Sequence, residues 1–192
     1  MSLRINAGSG QRPFAGWVNI DSQEKWRAIT FEKGGAFICC DMAKMPYTQG
    51  SVDMVVSHQS HEHADPHREG AAFLREAYRV LKPDGSLLIF TPDAEALARR
   101  WLRYRDRVNA ERSWGSEARE GEINDFIYFV NLHGAWMGNE SDRHKWSFTF
   151  DELERFLRDA APWREIKPFD WREIPGADLA RDWWVLSVEA IR

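Results

Sequence analysis

Cysteine is almost absent from this 192-residue chain, and the only two, Cys39 and Cys40, are adjacent. Neighbouring thiols close an ordinary disulfide only with strain and lack the spacing of a metal-binding pair, so a disulfide framework and a cysteine-based zinc fold are both excluded. They read instead as small core residues at a strand end. Long apolar runs are also missing. Nothing approaches the roughly 18 residues that span a bilayer, and Met1 to Asn6 lacks the apolar stretch of a secretory leader, so the expectation is a cytoplasmic protein with no membrane contact. Positive charge is not in excess either. The net charge is -4 and neither half of the chain is basic, so a nucleic-acid partner is not indicated. The run Arg99, Arg100, Arg103, Arg105, Arg107 and Arg112 is the local exception, and it reads as the solvated face of a helix. With 13 glycines and 8 prolines, collagen-like and low-complexity classes drop out as well.

What is present suits one globular domain. Hydrophobic residues make up 43% of the chain, and a chain of this size buries roughly 70% of its unfolded surface, so residues 1–192 are taken as a single domain. Tryptophan is abundant, with ten copies.

Strands and helices are predicted to alternate. Leu3 to Ala7 forms a short strand running into Gly8-Ser9-Gly10, and Trp17 to Ile20 forms a second ending at Asp21. The gap between them leaves room for at most one helical turn, so the first crossover helix is shortened or missing. A short helix over Ser22 to Phe31 and a strand over Ala36 to Cys40 follow. Val52 to Ser57 reads as a strand buried on both faces. Helical spacing resumes at Glu69 and stops at Lys82-Pro83-Asp84-Gly85, before a strand over Ser86 to Thr91. Asp93 caps a long helix, residues 108–150 form an irregular lid or acceptor insert, Asp151 to Ala160 is a helix, and Glu165 to Trp171 and Trp183 to Ile191 are the last strands. The class is α/β, a mostly parallel twisted sheet with helices on both faces.

In such a sheet, ligands sit at the carboxyl ends of the strands. Those ends carry Ala7-Gly8-Ser9-Gly10, Asp21, Asp41, Ser57-His58 and Thr91-Pro92-Asp93. Glycines permit close backbone approach, one carboxylate accepts from ribose hydroxyls, and another polar group reads a base edge, so the set suits a nucleoside. A dinucleotide fits poorly. Pro13 stands where a third glycine would be, a full helix N-terminus for a pyrophosphate is lacking, and Asp21 follows Gly10 by only eleven residues.

These residues, in their order, resemble the class I S-adenosylmethionine-dependent methyltransferases, and most of all a compact, type 11-like branch of them. The resemblance is carried by Ile5-Asn6-Ala7-Gly8-Ser9-Gly10, Gly16-Trp17-Val18-Asn19-Ile20-Asp21, Asp41-Met42-Ala43-Lys44-Met45-Pro46, Gly50-Ser51-Val52-Asp53, Glu62-His63, Leu74 through Gly85, and Thr91-Pro92-Asp93. It is dense over residues 3–93 and thinner beyond, where His144-Lys145-Trp146-Ser147-Phe148 matches. The resemblance implies a Rossmann-like fold with an antiparallel strand near the C-terminal edge and S-adenosyl-L-methionine as cofactor. Its methionine part would lie on Gly8 and Gly10, its ribose on Asp21 and its adenine on Asp41 and Met42, with Asn6 and Ser57 also lining the site. The acceptor would be a small molecule or a saccharide. Asn6 stands where relatives usually carry an acid, and His61 where an apolar residue usually precedes Glu-His.

Methyl transfer needs a base only if the acceptor must lose a proton, and His61, His63, His133 and His144 are the candidates. Two other readings stay open. His61, His63 and Asp65 approach the metal motif of zinc hydrolases, displaced by Pro66. The Asn6 departure also admits a methyltransferase-like protein that binds without catalysing. Eight of the ten tryptophans lie at or beyond residue 101. Trp163, Trp171, Trp183 and Trp184 are read as packing residues, and Trp114, Trp136 and Trp146 as an aromatic floor for the acceptor.

Overall fold

The computed structural model describes residues 2–111, 143–177 and 184–192, with residue 101 and residues 104–111 described by backbone alone. Seven strands form one sheet: β1 Arg4–Ala7, β2 Val18–Asp21, β3 Ala36–Cys39, β4 Val52–His58, β5 Leu81–Pro92, β6 Glu165–Pro168 and β7 Val185–Ile191. Their order is β3-β2-β1-β4-β5-β7-β6. The first five pair in parallel, and β7 runs antiparallel between β5 and β6. The chain builds outward from β1 in one direction and then, from β4, in the other. The carboxyl ends of β1 and β4 therefore flank the point where the order reverses, which is where open α/β sheets leave a crevice for ligands.

The helices are α1 Arg27–Glu32, α2 Ala71–Val80, α3 Ala94–Glu111 and α4 Phe150–Ala160. Side chains cap the free N–H groups of α3 and α4. Asp93 Oδ1 accepts from the amides of Glu95 and Ala96, and Thr149 accepts from Glu152. Phe73, Leu74, Ala77 and Val80 of α2 and Leu153, Phe156 and Leu157 of α4 recur at helical spacing and bury against one sheet face, meeting Ile5, Ala7, Ile20, Val55, Leu87 and Ile89. The opposite face carries α1, which lies over β3 with Arg27 against the Phe37 ring. Its centre is covered by Phe14 and Trp17 of the β1–β2 connection and by Ile174 and Ala177, all packed on Val56, Leu88 and Phe90.

That connection contains no helix, as the spacing predicts. Two side-chain amides hold it in place of one. Asn6 and Asn19 are register partners on β1 and β2, both fully buried. Asn19 Oδ1 accepts from the Phe14 amide at 2.7 Å while its Nδ2 donates to Phe14 O at 3.0 Å. Asn6 Nδ2 donates to Asn19 Oδ1 and to Arg12 O, both at 3.0 Å. Backbone groups that a crossover helix would satisfy internally are thus satisfied by a pair of strand residues.

Three expectations are corrected. Cys39 is exposed and Cys40 half-buried, because β3 pairs only with β2 and ends at the edge of the sheet. Strand β5 begins at Leu81 and not at Ser86: Leu81 pairs with Val52, and a register shift between Val52 and Met54 absorbs the turn at Asp84, whose φ is +64°. The strand expected to reach Trp171 stops at Pro168, since Asp170 accepts from the Arg172 amide and caps a 3-10 turn over Trp171–Glu173. Residues 112–142 of the expected insert, with Trp114, His133 and Trp136, lie outside the described residues, as does Trp183. Among the described residues, no helix is long and apolar enough to cross a membrane.

Candidate functional site

The carboxyl ends of β1, β2 and β4 bring the predicted glycines and Asp21 together. After Ala7 the chain turns with Gly8 at φ +71° and Gly10 at φ +46°, values that favour glycine. The amides of Gly8 and Ser9 both donate to Ile20 O, which ties the loop to the end of β2. The Gly10 amide donates to Asp21 Oδ2 at 2.9 Å, and the Gln23 amide to Asp21 Oδ1 at 2.9 Å. The carboxylate is therefore fixed in direction by two backbone donors, and each oxygen keeps a second lone pair for a ligand hydroxyl.

Gly8 has a steric reason as well. A Cβ there would lie 2.5 Å from Ser60 Oγ and 3.6 Å from Met42 Sδ, whereas one on Gly10 would meet nothing within 4 Å. Met42 and Ser60 thus reach the glycine loop from the β3 and β4 sides. Ser60 Oγ bonds Ser57 Oγ at 2.8 Å and donates to Ala7 O at 3.1 Å, so the fully buried Ser57 supports the loop through Ser60. Asp41, past the end of β3, is exposed, and its Oδ1 accepts from the Ala43 amide. Asn6 points to the opposite side of β1 and braces the loop from below.

Ser60 is the residue that sequence reasoning missed. It lies beyond the strand, and its contact with Gly8 depends on β1 pairing with β4. Asn19 was missed too, as one polar residue in a four-residue strand.

The histidines separate into different environments. His61 is 1% exposed, stacks on Phe148 at 5.2 Å and approaches Phe73 at 5.8 Å. Burial pushes its pKa down to about 4. A base sealed among aromatic rings and this weak at neutral pH is poorly placed to take a proton from an acceptor, so the geometry argues against His61 in that role. His58 is equally enclosed, between Phe14 and Phe90, with its pKa lowered to about 4 by burial and then by the charge of Arg12.

His63 and His144 come together instead. Their rings lie 4.8 Å apart, and His144 Nε2 is 4.0 Å from Glu62 Oε1. The segment 143–149 is docked there by the amides of Lys145 and Trp146, which donate to Glu62 O. Its far end bridges Phe148 to Asp93 at the end of β5. The hydrolase-like set His61, His63 and Asp65 is not assembled. Asp65 spends Oδ1 on the amides of His67 and Arg68, capping a π-helical turn at Pro66–Gly70, and His61 faces the core. Trp146 packs edge-on against His67 and Phe156 as part of an aromatic cluster.

Comparison with known proteins agrees with this fold. Residues 9–89 match the methyltransferase domain family. A curated Mycolicibacterium smegmatis protein named "Probable S-adenosylmethionine-dependent methyltransferase" is 30% identical over 131 residues, which is 65% of this chain and 49% of that protein. The chain therefore spans about half the length of that relative. Among solved structures, an S-adenosylmethionine-dependent methyltransferase from Mesorhizobium loti superposes with a TM-score of 0.58 at 17% identity, over 99% of this chain and 90% of that one. The 1,6-didemethyltoxoflavin-N1-methyltransferase of Burkholderia thailandensis, solved with 1,6-didemethyltoxoflavin and S-adenosylhomocysteine bound, gives 0.55 at 16% identity, over 100% and 71%.

The cofactor of this family is S-adenosylmethionine, and the residues present fit it. The positions beside Gly10 are open, Gly8 has no room for a side chain, and Asp21 offers oriented lone pairs beside them. With the methyltransferase domain match over residues 9–89 and the strand order described above, the chain has the Rossmann-like fold of the class I S-adenosylmethionine-dependent methyltransferases and resembles them in sequence.

Proposed function

We propose that this protein transfers the methyl group of S-adenosylmethionine to a small-molecule or saccharide acceptor. The observation that carries the reading is the coupling of Gly10 to Asp21 at the carboxyl ends of β1 and β2, where a backbone donor aims a carboxylate along the glycine loop. Gly8 and Gly10 let the methionine part approach the backbone, Asp21 accepts from the ribose hydroxyls, and Asp41 with Met42 flanks the adenine. S-adenosylmethionine supplies a methyl carbon already activated by its sulfonium. The chain's task is then chiefly to align acceptor and methyl group.

His63 and His144 are the described candidates for acting on the acceptor's proton, since both follow the end of β4 or dock against it. Asn6, the feature that admitted a non-catalytic reading, has a structural task in bracing the β1–β2 connection. Two measurements test the proposal. Calorimetry should show S-adenosylhomocysteine binding that Asp21→Ala weakens at least about tenfold, as expected for losing a charge-assisted hydrogen bond. A screen with methyl-labelled cofactor against nucleotide sugars, glycans and small metabolites should then find an acceptor. Absence of S-adenosylhomocysteine binding at high micromolar ligand would refute the reading.

A further inference from the structure

Glu62, His63 and His144 offer one carboxylate and two imidazole donors whose ligand atoms all lie within 4.8 Å of one another. We infer that these three residues bind a divalent first-row cation at the carboxyl end of β4. The geometry is close to ready. Three atoms no more than 4.8 Å apart have a point within about 2.8 Å of all of them, and donors to such a cation sit at roughly 2.0–2.2 Å. An inward shift of at most about 0.6–0.8 Å per side chain closes the site, which is within the reach of rotamer adjustment.

The surroundings suit this use. Glu62 is fully buried and His144 nearly so, with His144 Nε2 4.0 Å from Glu62 Oε1. His144 arrives from a segment far along the chain, docked by the Lys145 and Trp146 amides onto the Glu62 carbonyl. One backbone carbonyl therefore sets the distance between two of the donors. His67, exposed and packed on Trp146 and Phe156, is not among the three.

Mixed imidazole and carboxylate donors favour Mn2+, Fe2+, Co2+ or Zn2+ over the all-oxygen preference of Ca2+. Three protein donors also leave coordination positions for water or an acceptor oxygen. Ser60, two residues before Glu62, touches the glycine loop, so the cation would lie near the cofactor. That last placement rests on the methyltransferase reading, while cation binding itself does not.

The test uses the full chain without a histidine tag, stripped with chelator and titrated with Co2+, whose visible spectrum separates nitrogen and oxygen ligation from binding at Cys39. One equivalent should bind, with visible bands, no thiolate charge transfer and a raised melting temperature. His63→Ala should weaken binding at least about tenfold, and Glu62→Gln and His144→Ala should abolish it. His67→Ala should leave it intact. His63 is half-exposed, so its variant is the one to judge by if the buried variants fail to fold. A folded, stripped protein with no saturable Co2+ binding, thiolate bands in the Co2+ spectrum, or binding untouched by His63→Ala would overturn the inference. S-adenosylhomocysteine calorimetry on the stripped protein distinguishes the two readings: retained cofactor binding without Co2+ binding refutes the cation site alone.

Discussion

Asn6→Asp is the most telling substitution, because it introduces the acid that the family resemblance implies at this position and should nonetheless destabilise this chain. Asn6 donates from Nδ2 to Asn19 Oδ1 and to Arg12 O, two acceptors, in a fully buried position. Asn19 cannot simply turn over, since the Phe14 amide needs its oxygen and Phe14 O its nitrogen. An ionised carboxylate would face oxygen on both sides. The folded state responds by raising the carboxyl pKa above its unfolded value of about 3.9, so the protonated acid can still donate to one acceptor.

The sign follows from that shift. The unfolded variant loses its proton near pH 4 while the folded one keeps it, so the variant loses about 1.4 kcal/mol per pH unit above that point. The loss levels off once ionisation in place, at about 3–5 kcal/mol, becomes the lesser evil. Urea unfolding of wild type and variant at several pH values should therefore show a gap of about 3–5 kcal/mol at pH 8 that narrows to about 1–2 kcal/mol at pH 5. Asn6→Ala should show a smaller gap with no pH dependence. A variant within 1 kcal/mol of wild type at pH 8 would refute the amide clamp.

The other predictions concern neighbouring features. His58 has a folded pKa of about 4, so the unfolded state binds its proton first as pH falls below 6.5; stability should drop by about 2 kcal/mol between pH 8 and pH 5, and His58→Phe should remove that share of the acid loss in a denaturant series. Gly8→Ala should both destabilise, by about 1–2 kcal/mol for the left-handed backbone plus the Ser60 overlap, and abolish S-adenosylhomocysteine binding. Gly10→Ala meets no protein atom, so it should lose cofactor affinity at a smaller cost in melting temperature; equal behaviour of the two variants would contradict the loop geometry. Ser60→Ala should weaken S-adenosylhomocysteine binding by less than tenfold, as it removes the bond to Ala7 O while relieving the contact with Gly8.

The central strands and amphipathic helices were legible because their signals are local. Val52 to Val56 is apolar apart from Asp53, and α2 and α4 repeat their apolar residues at helical spacing, so burial follows from pattern. The glycine loop and Asp21 were legible for a related reason: each stands immediately after a strand, and strand ends collect ligands. The short gap between the first two strands likewise leaves no room for a full crossover helix.

Other features needed the sheet to be assembled. Nothing local distinguishes His61 from His63, two residues apart, yet one is buried against Phe73 and Phe148 while the other meets His144 from a segment far along the chain. Asn6 read as a weakened cofactor residue until its register partner Asn19 turned it into a brace. By itself, the sequence determined the fold class, the strand ends and the glycine loop, since these follow from periodicity and from what glycine and aspartate do next to a strand. Only the tertiary structure decided which polar residues share a site, because hydrogen bonding and metal-ligand geometry act over a few ångströms between residues that the chain holds far apart.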